Sequence, residues 1–192
     1  MAKLLVIAEH RDGKLSVATL ELCRVAKEIA PALGLEPAAA VFAKDDSIAK
    51  EVANYIPEVF VVADPAVAVY TADGYTQAAK AVVEAKDVKG LLIPHTYDGV
   101  DYAAKVAMAI NAGIVSNVNK VVVEGGKPVC TRNIYNGKLQ ETKTISTDKF
   151  VISIEKGAYD PAEAGAAGSV TAVSASFGPI RTKVKEVVST ST

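Results

Sequence analysis

The pattern of this chain predicts an α/β domain built on a parallel β-sheet with helices on both faces. Three observations predict it. Short, almost unbroken apolar runs recur along the first two-thirds of the sequence. Longer amphipathic stretches separate them, and the connections between the two are short. Strands covered by helices on both faces read as continuous apolar runs, whereas half-exposed strands alternate. Their alternation with helices implies right-handed βαβ crossovers and so a Rossmann-like sheet.

In chain order, the apolar runs LLVIA (4–8), AAAVFA (38–43), VFVVA (59–63) and GLLIP (90–94) are the expected parallel strands. Ala18, Leu22, Val25, Ala26, Ile29 and Leu33 share one face of a first helix, with Ser16 as its cap and Gly34 as its stop. Ser47 can cap a short helix carrying Ile48, Val52 and Tyr55. Tyr75, Ala78, Ala79, Val82 and Val83 repeat at helical spacing. Val100, Ala103, Val106, Ala107 and Ile110 form a fourth helix that ends near Gly113.

After residue 118 the pattern changes. Gly125-Gly126, Asn136-Gly137 and Thr147-Asp148 each separate two strand-like runs, and Asn-Gly is a strong hairpin signal. This predicts an antiparallel hairpin extension, a meander from about Lys120 to Glu155. Residues 1–156 therefore read as the α/β domain, and 157–192 as linker and tail. The stretch GAYDPAEAGAAG is a loop, SVTAVSASF (169–177) a candidate last strand, and the segment from Gly178 to Thr192 is weakly patterned.

Composition narrows the function classes. The chain has 192 residues, 50% of them hydrophobic and 22% charged, enough for one full core. A formal net charge of −1, with no basic stripe interleaved with aromatics, gives no attraction to nucleic acid. Cys23 and Cys130 are far apart with no Cys/His cluster, which points to reduced packing thiols rather than zinc or a redox dithiol. No apolar run approaches the ~20 residues of a membrane helix, so a cytoplasmic protein without membrane insertion is expected.

Chemistry is sparse. The first strand runs into Glu9-His10-Arg11-Asp12-Gly13, without GxGxxG spacing or a Walker lysine, so flavin or nicotinamide binding in the Rossmann manner is not expected of this chain alone. His10 and His95 each follow an expected parallel strand, where ligands of open α/β sheets bind. They are either nucleotide contacts or acid/base groups, or else loop histidines bonding nearby backbone. A nucleotide here would lie near His10, Thr96 and Gly99, with the fourth helix's N-terminus facing phosphate. Asp46, Asp64, Asp98 and Asp101 suit helix capping and turns better than metal binding. Arg132 is an ion-pair partner, an interface anchor or a solvated strand residue, and the tyrosines form no stacking platform.

Several segments, in order, resemble the electron transfer flavoprotein alpha family. KLLVIAEHRDGKLSVATLELCRVAKEIA is similar to that family's first strand, Glu-His pair, Gly-Lys-Leu turn and first helix. In LLIPHTYDGVDYAAKVAMAINAGIVSNV, Pro94, Thr96, Gly99 and Ser116 match, while Asn117 replaces an expected Asp. In TRNIYNGKLQETKT, Arg132, Tyr135 and Gly137 match, with Asn133 where Pro is common. FVISIEKGAY resembles a strand that usually ends Arg-Pro-x-x-Phe, from which Glu155-Lys156 and Tyr159 depart. The likeness runs from residue 3 to about 188, including a tail, GPIRTKVKEVV, similar to the linker entering the flavin domain.

The resemblance implies an adenine nucleotide alpha hydrolase-like fold and a non-catalytic electron carrier subunit or scaffold. It also implies pairing with a beta-type subunit, a dehydrogenase as redox partner, and FAD only in the assembled complex, with a separate flavin domain an option. The family's FAD segments have no counterpart here, so no FAD residue carries over. The alternative is a stand-alone adenine-nucleotide-binding module of the same fold, with AMP at His10, Thr96 and Gly99.

Overall fold

The computed structural model describes residues 1–188. The closing Ser189–Thr192 of the tail lies outside the described residues. The elements are β1 (Lys3–Ile7), β2 (His10–Arg11), β3 (Lys14–Leu15), α1 (Val17–Ile29), β4 (Glu36–Ala43), α2 (Ser47–Val52), β5 (Glu58–Ala63) and α3 (Ala72–Ala85). Then come β6 (Val88–His95), α4 (Tyr97–Ala109), β7 (Gly113–Val118), β8 (Lys120–Glu124), β9 (Lys127–Ile134), β10 (Leu139–Thr144), β11 (Phe150–Glu155) and β12 (Ser169–Ala172).

The main sheet has seven strands in the order β12-β5-β4-β1-β6-β11-β7, and every neighbouring pair is parallel. The four apolar runs are β1, β4, β5 and β6, as their composition predicts. Their interiors are buried on both faces because helices cover both. On one face α1 and α2 bring Leu22, Val25, Ala26, Ile48 and Val52 onto Leu4, Val6, Ala39 and Val41. On the other, α3 and α4 bring Ala78, Ala79, Val82, Ala103 and Val106 onto Leu5, Ile7, Ala40 and Leu91. Full burial of each such aliphatic side chain is worth roughly 1.5–3 kcal/mol, so the two cores drive the layering.

The C-terminal third differs from the sequence expectation. The antiparallel meander stops at Thr144 and consists of β8, β9 and β10 alone. Gly125 and Gly126 take positive φ, +57° and +73°, and close a two-residue turn between β8 and β9. The Asn136-Gly137 turn is longer, with Tyr135, Asn136 and Gly137 all at positive φ. FVISIE does not join the meander. It runs parallel between β6 and β7, as β11. Its first five residues are buried, the mark of a central parallel strand. The fit beside β6 depends on Gly90: a Cβ there would overlap the ring of Phe150, the first residue of β11. GIVSNV, which begins where the fourth helix is expected to end, forms the edge strand β7.

The segment expected to be a linker packs on the domain. Buried Glu21 on α1 accepts the Gly157 N–H at 2.8 Å, and Ala162 N–H donates to the Leu20 carbonyl at 3.0 Å. The expected last strand forms over its first four residues and pairs with β5. Val173 is buried beyond it, and Ala175 and Phe177 pack against the α3/α4 core.

Candidate functional site

After β1 the chain turns to the α1 face, whereas after β6 it turns to the α4 face. The carboxyl ends of β1 and β6 are adjacent in the sheet, so the two exits diverge between them. This topological switch point opens a crevice, the place where ligands of open α/β sheets bind. Glu9, His10, Arg11, Thr96 and Asp98 line one cleft of about 440 Å³ there, with Lys14 and Lys156 at its rim. His10, Arg11 and Asp98 also border a second cleft of about 440 Å³, closed on its far side by Tyr70, Tyr75 and the loop at Lys44–Asp45.

Thr96 caps α4: its Oγ1 accepts the Gly99 N–H at 3.1 Å. The same hydroxyl donates to Glu9 Oε2 at 2.5 Å. Glu9 is itself fixed by Thr19 of α1, whose Oγ1 accepts the Glu9 N–H at 2.8 Å and donates to the Glu9 carbonyl at 3.0 Å. A chain of bonds from α1 through Glu9 and Thr96 to α4 therefore stitches the two sides of the switch point together. The sequence singles out the Glu9-His10 pair, but the Glu9 side chain's part in the crevice follows only from the fold.

Gly99 serves the same closure. An added Cβ would overlap the Pro94 carbonyl oxygen, so the glycine lets the first turn of α4 sit directly on the end of β6. The missing side chain makes room for the backbone of β6. His10 Nε2 donates to the Phe42 carbonyl at 2.8 Å, so Nε2 carries a hydrogen. The Tyr75 hydroxyl donates to the same carbonyl at 3.3 Å. His10, Thr96 and Gly99 thus lie at one crevice, with Thr96 and Gly99 directly bonded and His10 turned towards β4.

His95 points elsewhere. Its Nδ1 meets Ser153 Oγ of β11 at 2.9 Å, and burial holds its pKa below the usual histidine value, with Glu155 opposing. Ser153 Oγ also accepts the Asn117 N–H at 3.1 Å, where Asn117 takes φ +57° at a bulge of β7. Asp98 stands in the first turn of α4, and burial raises its pKa against the pull of Arg11. The Tyr70 hydroxyl lies 2.9 Å from Asp101 Oδ2 and 3.1 Å from the Asp98 carbonyl, and burial raises its pKa.

The capping assignments divide. Asp64 Oδ1 accepts the Ala66 N–H as expected. Ser16 holds the N-cap position of α1 but makes no side-chain cap bond, and Asp46 does the same at α2. Asp45 instead accepts both the N–H and the hydroxyl of Ser47. Arg132 Nε pairs with Glu141 at 2.7 Å across the meander, and its Nη1 reaches Ser116 at 3.3 Å. That arginine is an internal tie between the meander and β7. Among the described residues no group of three His, Cys, Asp or Glu side chains could hold a metal ion, and no helix is long and apolar enough to cross a membrane.

Comparison with known proteins supplies the family. The electron transfer flavoprotein domain matches residues 4–177. The chain is 33% identical to the electron transfer flavoprotein subunit alpha of Bacillus subtilis (strain 168), over 97% of this chain and 58% of that protein. It is 31% identical to the corresponding subunit of Syntrophomonas wolfei, over 99% of this chain and 60% of that protein. It is 25% identical to the protein FixB of Clostridium saccharobutylicum, over 95% of this chain and 57% of that protein. The chain therefore spans about three-fifths of the length of these curated relatives. With the domain matched over nearly the whole parallel sheet, this chain belongs to the electron transfer flavoprotein family.

Proposed function

We propose that this chain is the α/β scaffold of an electron transfer flavoprotein alpha-type subunit, which carries electrons with a beta-type subunit and FAD rather than catalysing a reaction itself. The observation that carries the proposal is the stitch across the switch point. A dinucleotide's pyrophosphate needs open backbone N–H groups at a helix N-terminus. Here the Gly99 N–H is already taken by Thr96, and the Glu9 and Asp98 carboxyl groups stand at the crevice. The residues present do not fit FAD in this crevice, so FAD would be held by other parts of the assembly.

Tyr97 is 98% exposed on the rim of the crevice, and Val17 and Val100 are exposed too, which leaves apolar surface for a neighbouring chain. The redox partner would be a dehydrogenase, and the setting cytoplasmic. The test is co-expression with a beta-type subunit and a flavin-binding domain supplied as a separate chain. Co-elution as a yellow complex is expected. A colourless monomer that captures neither would overturn the proposal.

A second reading, a stand-alone adenine-nucleotide module, draws on one observation: Arg11, Lys14 and Lys156 edge the cleft beside His10, Thr96 and Gly99. Calorimetry with AMP and ATP separates the two readings. Absence of heat at millimolar nucleotide would remove the second.

A further inference from the structure

The end of the described chain returns to the crevice. After the buried Val173, Gly178 N–H donates to Gln77 Oε1 at 2.6 Å, in the second turn of α3. One turn nearer the N-terminus of α3, Asp73 takes three bonds from Arg181. The Arg181 N–H and Nε donate to Oδ2 at 3.0 and 3.2 Å, and Nη2 donates to Oδ1 at 3.1 Å. The segment thus climbs α3 towards the carboxyl end of the sheet. Beyond it, Val184 and Val187 line the second cleft, opposite His10, Asp45, Tyr70 and Tyr75.

We propose that residues 178–188 form a strap across the switch-point crevice, latched by Arg181 on Asp73 and closing the cleft between Tyr70 and His10 from outside. The strap is lightly held beyond the latch. Val184 is 40% exposed and Val187 74% exposed, so burial of apolar surface contributes little there. The fork of bonds from Arg181 to one carboxylate is the main restraint, and its geometry is bidentate. Loss of that pair releases the strap and opens the cleft, while the sheet and both cores stay as they are.

The chain contains no tryptophan, so Val184→Trp introduces a single reporter into the strap. Acrylamide quenching of that tryptophan is compared in the full chain, alone and combined with Arg181→Ala or Asp73→Asn. The arginine of the pair is exposed and its hold on the tail is modest, so a rise of roughly twofold in the quenching constant is expected for both combinations. Arg181 lies on the exposed tail, so its removal leaves folding intact, and unchanged thermal unfolding verifies this. A tryptophan already quenched as fully as in a free peptide would overturn the strap. Unchanged quenching in both combinations would overturn the latch. Neither readout involves nucleotide, flavin or a partner subunit, so the result stands apart from the functional reading.

Discussion

Gly99→Ala sets two physical effects against each other. Gly99 lies inside the first turn of α4, where alanine is intrinsically favoured over glycine by about 1 kcal/mol. The tertiary setting opposes this. The added Cβ would overlap the Pro94 carbonyl oxygen and stand 3.0 Å from the carbonyl carbon, inside the ~3.5–4.0 Å of ordinary carbon contact. Both atoms are backbone of β6, so the first turn of α4 must retreat. Such overpacking costs about 1–3 kcal/mol. Retreat also strains the Thr96–Gly99 cap, worth about 1 kcal/mol. Set against the gain in helix propensity, the net is a loss of about 2 kcal/mol. For a chain of this length that is a fall of about 4–8 °C in Tm. Urea denaturation followed by circular dichroism, with calorimetric Tm, measures it. A stabilised or unchanged Gly99→Ala variant would show that the helix does not rest on β6 as described.

Further outcomes follow from the same contacts. Thr96→Val removes the acceptor for the Gly99 N–H and the donor to Glu9, and should cost about 1–2 kcal/mol, whereas Thr96→Ser should keep most of it; equal losses in urea titrations would refute the hydroxyl's role. Burial pushes the Cys23 thiol up to about 12 and the Cys130 thiol to about 11. Their thiolate fraction at pH 8 is then roughly one in a thousand or less, so a disulfide reagent should label neither in the folded protein and both in denaturant. His95 is held neutral by burial, its folded-state value lying below the unfolded one near ~6.5. Its contribution is complete above the unfolded value and is lost as pH falls through the folded one. Wild type should therefore lose stability relative to His95→Gln as pH falls below about 6.5, and parallel Tm profiles would contradict this.

The four apolar runs, the helices between them and the crevice itself were legible because each rests on a local signal. Continuous apolar runs mark LLVIA and GLLIP, helical spacing marks Tyr75 to Val83, and the loops after two expected parallel strands mark the crevice. What local signals do not carry is choice of partner. FVISIE lies between a meander and a loop in sequence, and nothing in its neighbours says that it slots between β6 and β7. Its nearly continuous apolar run is the sequence clue, stronger than adjacency to the hairpins. Caps show the same limit. Ser16 has the right residue type but no side-chain bond, while Thr96 combines its cap with a bond to Glu9, 87 positions away. At His10, Thr96 and Gly99 the sequence locates the crevice, but only packing shows that Gly99 makes room for Pro94.

The position of β11 also sets the order in which the sheet can be completed. Strands β6 and β7 flank a gap that no residue before Phe150 fills, and its pairing with β6 joins segments about sixty positions apart. Closure of so distant a pair is entropically slow compared with the local hairpin of β8 to β10. During synthesis the hairpin can form first, while β6 and β7 still present open edges towards each other. A chain interrupted anywhere before Glu155 therefore exposes two unsatisfied parallel edges, the template on which other chains pair. The late strand is what turns a split sheet into a continuous one.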